Sequence, residues 1–353
     1  MTPIITKKPD HSKAVNPHNQ PLNRSPQQRS PLLLIGLMML AIISLILALL
    51  IGSLSIDANT LMHTLLGEDT GMSATVIWEL RLPRATAAFI TGGMLALAGC
   101  LMQVLLRNPL ADPYVLGISG GAAVAALSAM LMGLSGFWLS GSALMGALLS
   151  MMLVFGLARG QGGWTPTRLL LSGIVIAAGW GAVISFLLTI SPDQHMRGML
   201  FWLMGDLSHS RGSMLTAALL IIALIFALAL ARPLNLLTRG EMQAAALGVN
   251  IKPLRLTLYV LASLLTASAV TQAGSIGFIG LVVPHLLRLM GMSDHRLLIP
   301  ACVLLGGTLL VLADTLARSL LAPQQLPVGV ITALLGVPLF LYLLNRGPRD
   351  KTT

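Results

Sequence analysis

The chain has 353 residues, of which 55% are hydrophobic and 10% charged, with a mean hydropathy of +0.84 and a formal charge of +10. Soluble domains carry about 25% charged residues, so this composition excludes a water-soluble globule and points to a polytopic membrane protein. The positive charge is not a nucleic-acid footprint, because the Lys and Arg residues sit between apolar stretches and no basic run is interleaved with aromatics.

Residues 1–31 are rich in Pro, Asn, Gln and Ser and lack an apolar period, so a disordered cytoplasmic tail is expected ahead of the first span. A membrane-crossing helix needs about 20 apolar residues. On that scale the chain divides into ten spans, at 32–52, 85–106, 113–133, 137–158, 169–190, 213–231, 257–276, 278–292, 298–318 and 327–345, within a membrane domain at 32–346 that ends in a short tail at 347–353. The first span is too long for the apolar part of a signal peptide and lacks a clear cleavage site, so it reads as retained. The eighth is short and interrupted by Pro284. Broken helices are tolerated where freed backbone groups face protein or water, which makes 274–292 a candidate for a transport path.

With the N-terminus inside, Arg81, Arg84, Arg197, Arg211 and Arg318 fall outside, and the remaining 17 of the 22 Lys and Arg residues fall inside. The positive-inside rule then predicts both termini in the cytoplasm. Arg81 and Arg84, three residues apart where the second span begins, are the exception this orientation leaves to explain.

Chemistry-bearing patterns are scarce. The absence of a G-x-x-x-x-G-K-[ST] run predicts that the chain binds no ATP through a P-loop of its own. No H-E-x-x-H spacing occurs, and Ser, His and Asp do not meet in a nucleophile-elbow context. Neither a cofactor, a metal site nor a catalytic residue is expected. Cys100 and Cys302 lie in apolar spans and read as small buried hydrophobes. Asp314 stands four residues before Arg318 on one helical face, where an intrahelical pair accounts for it and a proton relay is the competing role. A proton-coupled secondary transporter is therefore the alternative to an ATP-driven one, although such a carrier usually needs more buried carboxylates.

From Arg81 to Ala122 the chain reads R-L-P-R, then G-G-M-L-A-L-A-G, then Q, then R-N-P-L-A-D-P-Y-V-L-G-I-S-G-G-A. There follow F-W-L-M-G-D-L at 201–207, L-N-L-L-T-R-G-E-M-Q-A-A-A-L-G-V-N at 234–250, G-S-I-G-F-I-G-L-V-V-P-H-L-L-R at 274–288, D-H-R at 294–296, L-A-D-T-L-A-R at 312–318 and L-P-V-G-V-I-T-A-L-L-G-V-P-L-F at 326–340. In this order they resemble the FecCD-type permeases, the transmembrane subunits of ABC importers for iron-siderophores, haem and vitamin B12. The resemblance implies an all-α, ten-helix type II ABC importer permease fold, assembled as a homodimer in the bacterial inner membrane. It further implies two copies of a cytoplasmic ATP-binding subunit, a periplasmic or extracellular substrate-binding protein, and transport by alternating access. Siderophore, haem and cobalamin permeases share these motifs, so the cargo is left open.

Four groups of site residues follow. In the cytoplasmic loop 232–256, Gly240 to Gly248 reads as a short helix of good formers between glycines. The family's coupling helices match this position, so Gly240, Glu241, Ala244, Ala245, Leu247 and Gly248 are expected against the ATPase, with Glu241 meeting a basic group there; an ordinary loop helix is the plainer alternative. Gly173, Ala177, Gly181, Ser185 and Thr189 form a stripe with four-residue spacing, suited to close packing or, as in the family, to lining the translocation path. Thr165, Pro166 and Thr167, together with Trp164, match the family's cytoplasmic gate, with Pro166 stiffening the middle of that loop. Arg81, Arg84 and Arg318 match positions where the family's binding proteins dock by acidic residues, a pairing that suits the guanidinium fork. Snorkelling to headgroups or pairing with Glu79 and Asp314 is the alternative.

Overall fold

The computed structural model describes residues 26–346 except 53, 55, 69–70, 160–164, 209 and 211, so most of the expected tails, along with Trp164 and Arg211, lie outside the described residues. Every regular element among the described residues is helical. In chain order these are α1 (Pro26–Leu50), α2 (Ala58–Leu65), α3 (Met72–Thr75), α4 (Leu82–Leu105), α5 (Ile118–Leu131), α6 (Phe137–Ala158), α7 (Pro166–Ile190) and α8 (Asp193–Leu203). There follow α9 (Met214–Ala229), α10 (Ala231–Leu237), α11 (Glu241–Ala246), α12 (Ile251–Ala273), α13 (Ile279–Leu289), α14 (His295–Ser319) and α15 (Val328–Arg346). Each expected span overlaps a helix, although residues 113–116 of the third form a separate 3-10 turn and α12 begins six residues ahead of the seventh. Six are long and apolar enough to cross a membrane alone, α9 and α10 form a pair bent by 58° that would make a seventh, and α5, α13 and the apolar part of α15 are shorter.

Two boundaries differ from expectation for identifiable reasons. α3, a π turn at Val76–Arg81 and α4 run on as one 34-residue helix, Met72–Leu105, so Arg81 and Arg84 lie within a helix rather than at its start. Pro83 has no N–H to offer the Glu79 carbonyl and its ring crowds that group; the wider turn just ahead, in which the Leu82 N–H bonds Ile77 O, absorbs the mismatch. The break expected at Pro284 falls earlier. α13 runs through Pro284, and the backbone is instead non-helical from Gly274 to Phe278. Gly274 has φ +68° and Phe278 φ +70°, a left-handed conformation rare for a bulky residue.

α4 is the axis of the bundle, with 89% of its apolar window buried, packed against α14, α12 and α13. Lipid tails are as apolar as these side chains, so what holds such helices together is close packing rather than removal from water. Glycines make the approach possible. A β-carbon at Gly92 would lie 2.2 Å from Gly306 O, and one at Gly99 would lie 1.9 Å from Gly280 O. The latter carbonyl is the one that Pro284 leaves without an i+4 partner. α5 and α6 meet the same way, a β-carbon at Gly146 falling 2.2 Å from Gly121 O. α7, by contrast, has only 11% of its window covered.

Candidate functional site

The ends of α4 carry two polar clusters. At its start, Arg81, Arg84 and Arg318 do gather, but the chain itself occupies them. Arg81 is 4% exposed and donates from Nη1 to Leu49 O (2.6 Å) and Leu50 O (3.0 Å), and from Nη2 to Leu54 O. Arg318 donates to Ala48 O. These carbonyls belong to the last turn of α1 and the loop after it, where a helix leaves acceptors unsatisfied and its dipole favours a cation. The two guanidinium groups therefore cap α1. Gly52 leaves the room, since a β-carbon there would fall 2.7 Å from Arg81 Nη2.

Arg84 faces the other way, along α14. Its Nε lies 3.1 and 3.0 Å from the two oxygens of Asp314, its Nη2 lies 2.8 Å from Oδ1, and its Nη1 donates to Gln325 Oε1 at 2.7 Å. Arg318 is within 3.9 Å of the same carboxylate. The sequence pairs Asp314 with Arg318 on one helix; the structure gives its short contacts to Arg84 on another, because the fork can bind a carboxylate bidentately only when it meets it face on.

At the far end of α4 lies α11. Gly240 (φ +124°) precedes it in a conformation that only glycine adopts readily. At its C-terminus, Gly248 N–H bonds Ala245 O and Val249 N–H bonds Ala244 O, both at 3.0 Å, with Gly248 at φ +84°. This is a Schellman ending and accounts for Gly248. Ala244 is fully buried, whereas Met242 and Leu247 are 88% and 65% exposed. The expectation that Glu241 reaches a partner's basic group is met differently: its carboxylate takes Arg255 of α12 and lies 3.9 Å from Arg107, just past α4. Beside α11, Asn235 of α10 joins the start of α14, accepting from His295 N–H (2.9 Å) and donating to Asp294 (2.7 Å). The Arg296 backbone N–H, and then Asn235, hold the Asp294 carboxyl below the usual carboxylate range.

The small-residue stripe of α7 divides in two. Gly173 is buried, with a notional β-carbon 2.3 Å from Val115 O, and the Ala177 backbone lies against Gly117. Gly181 has open space around it, and Ser185 is exposed with its hydroxyl turned back on Gly181 O. Thr165 accepts from Arg168 N–H at 3.3 Å as the N-cap of α7, so Pro166 is the first helical residue rather than the middle of a loop, a position where its missing N–H costs nothing. Thr167 is exposed in the same first turn.

Sequence reasoning missed a polar junction where the unwound 274–278 segment meets the 3-10 turn Pro113–Leu116. There Ile276 N–H donates to Tyr114 Oη (3.1 Å) and Ser119 donates to Ser275 (2.9 Å). Trp180 of α7 reaches Ser150, which bonds Gly117 O. The junction adjoins Gly99 and Gly280, roughly 26 Å along α4 from its first residue at 1.5 Å per residue. Non-helical backbone at such depth is tolerated when buried in protein or facing a water-filled cavity. The run of hydroxyl-bearing residues around Gly117 and Gly274 was the signal available in the sequence.

Comparison with known proteins agrees with this architecture. The chain matches the FecCD transport family over residues 40–346. It is 42% identical over 311 residues to the hemin transport system permease protein HmuU of Yersinia pestis, covering 86% of this chain and 92% of that protein. It is 40% identical over 278 residues to the vitamin B12 import system permease protein BtuC of Salmonella typhimurium, covering 77% and 84%. Among solved structures, one presented as a metal-chelate type ABC transporter in an inward-facing conformation aligns with a TM-score of 0.80 at 32% identity, over 90% of this chain and 99% of that one.

Proposed function

Since the chain belongs to the FecCD transport family, we propose that it carries a bulky metal-containing ligand (a ferric siderophore, haem or cobalamin) across the bacterial inner membrane by alternating access. It is a multi-pass ABC transporter permease, and such subunits work with an ATP-binding subunit and a substrate-binding protein. The reading adds a homodimer, two ATPase copies and cytoplasmic termini. Relatives that carry haem and vitamin B12 stand at nearly equal identity, 42% and 40%, so the cargo is proposed only as a class.

One observation carries the reading: α11 presents Met242 and Leu247 outward from a helix anchored by a buried Ala244. On a short, well-capped element at the position of the family's coupling helices, these two apolar side chains suit a contact with the ATPase. With α11 as the coupling helix, the opposite end of α4 receives the binding protein. Arg84 would exchange Asp314 for a partner carboxylate there, while Arg81 and Arg318 shape the rim by holding α1. Gly181, Ser185 and the Ser119–Ser275 junction would line the path, with Thr165 to Thr167 at its inner mouth.

Reconstitution into vesicles with the cognate ATPase and binding protein tests the proposal. Labelled haem, cobalamin and ferric siderophore are offered in turn, and ATP-dependent uptake of one is expected. Uptake driven by a pH gradient without ATP would establish the proton-coupled alternative, against which stands the fact that Asp314 is gripped by Arg84.

A further inference from the structure

A helix as short as α11 does not hold its own shape or direction in water, where isolated helices shorter than about 12 residues are marginal. Its anchors must therefore come from outside it. One is the burial of Ala244. Another is Glu241, the first residue of α11, whose carboxylate is shared by Arg255 and Arg107. Arg255 lies in the second turn of α12, which the chain joins to α11 directly. Arg107 follows α4 and has no such covalent tie; it takes φ +51°, uncommon for a residue other than glycine. The charges agree with the backbone around them, an acid near the start of α12 and a cation just past the end of α4. The pair Glu241–Arg255 is half-buried, with side chains 30% and 21% exposed.

We propose that Glu241 is a positioning residue that staples the coupling helix to α12 and α4 at once, so that displacement of α11 by the ATPase is delivered to the axis of the bundle instead of being absorbed in the loop. α4 is the helix on which α12, α13 and α14 all pack, and its other end carries the Arg84–Asp314 pair. Arg255 and Arg107 are the receiving groups, and Met242 and Leu247 are the face the ATPase would press. The inference rests on the reading of α11 as the coupling helix.

The test uses the whole permease with its ATPase and binding protein in vesicles, reading ATPase co-purification, ATP hydrolysis and cargo delivered per ATP. Glu241→Gln is expected to keep the ATPase bound and hydrolysing while cargo per ATP falls about tenfold, within the usual range of coupling between sites. Arg255→Gln should lose less, because Arg107 still holds Glu241, and the double variant should be no worse than Glu241→Gln alone, because the two substitutions share the Glu241–Arg255 interaction. The exchange of Glu241→Arg with Arg255→Glu should recover only the α12 half of the loss, because the introduced guanidinium would face Arg107. Unchanged cargo per ATP in Glu241→Gln overturns the staple. So does loss of ATPase co-purification in Glu241→Gln but not Arg255→Gln, since Glu241 would then touch the partner itself. A failed coupling-helix reading shows separately: Met242→Glu with Leu247→Glu would leave ATPase binding and uptake intact.

Discussion

The two ends of α4 use charge in opposite ways. At the Arg84 end, three arginines look from the sequence like free cations on a surface, yet the α1 carbonyls and Asp314 consume them. At the Glu241 end, the Glu241 carboxylate is held within the chain and two apolar side chains of α11 are left outside. Charge at a helix end therefore indicates unfinished backbone hydrogen bonding as readily as it indicates a partner. Apolar exposure alone does not separate the ends, since Leu80, Leu320 and Leu321 are exposed at the Arg84 end as well. What singles out Met242 and Leu247 is their place on the helix proposed to couple to the ATPase; at the Arg84 end only one of the three arginines retains an accessible contact, through Gln325.

The largest expected effect strikes the axis that joins the two ends. Gly99→Val should cost more than the usual 1–3 kcal/mol of an overpacked core, because the obstacle is the Gly280 carbonyl and not a side chain that can rotate. Size-exclusion chromatography in mild detergent should recover little monodisperse protein; a well-behaved Gly99→Val variant would break the claim that α4 transmits anything rigidly. Next comes Asp314→Asn, which leaves two arginines, with side chains 12% and 9% exposed, without a counter-charge. Breaking a buried pair in this way costs about 3–5 kcal/mol, read as a fall in the thermal midpoint. Arg84→Gln made together with Asp314→Asn should recover part of that loss. If the double variant binds the binding protein as tightly as the unaltered chain does, Arg84 is structural and the docking proposal fails. A smaller loss, about 1.5–3 kcal/mol for hydrogen bonds to a charged donor, is expected for Arg81→Ala, and Arg81→Lys should recover only part of it because an ammonium cannot fork across three carbonyls.

The sequence was legible where apolar length alone decides. The helices and the short α11 between its glycines follow from composition and spacing, since a membrane helix needs little more than apolar length and room for its neighbours. What could not be read was which groups the arginines meet. Ala48, Leu49 and Leu50 offer backbone carbonyls, which leave no trace in side-chain identity, and Arg84 meets Asp314 across 230 residues of chain. Pro284 misled for a related reason. Proline in the second turn of a helix frees a single carbonyl, and here Gly99 lets neighbouring backbone cover it, so the chain unwinds instead at Gly274 to Phe278. Met242 was visible as a residue of the loop helix, but its exposure became meaningful only once Ala244 was known to be the buried face.

The smallest expected effect on stability separates the two halves of the α7 stripe, and with it the path from the packing. Gly173→Leu should destabilise the fold, because its side chain would enter the Val115 carbonyl. A β-carbon at Gly181 meets nothing within 4 Å in this chain, so the stability of Gly181→Leu should stay within about 0.5 kcal/mol of the unaltered protein, as for substitutions away from any packed feature. Uptake is the informative readout for Gly181→Leu. If Gly181 lines the route between the two ends, a bulky side chain there should slow transport of a large cargo while ATP hydrolysis continues and α11 still holds the ATPase. Ser185→Ala offers a gentler control, since the lost hydroxyl bonds only its own helix. Normal uptake in Gly181→Leu, with stability also unchanged, would move the path off this face of α7 and leave its glycines to close contact with a second copy of the chain.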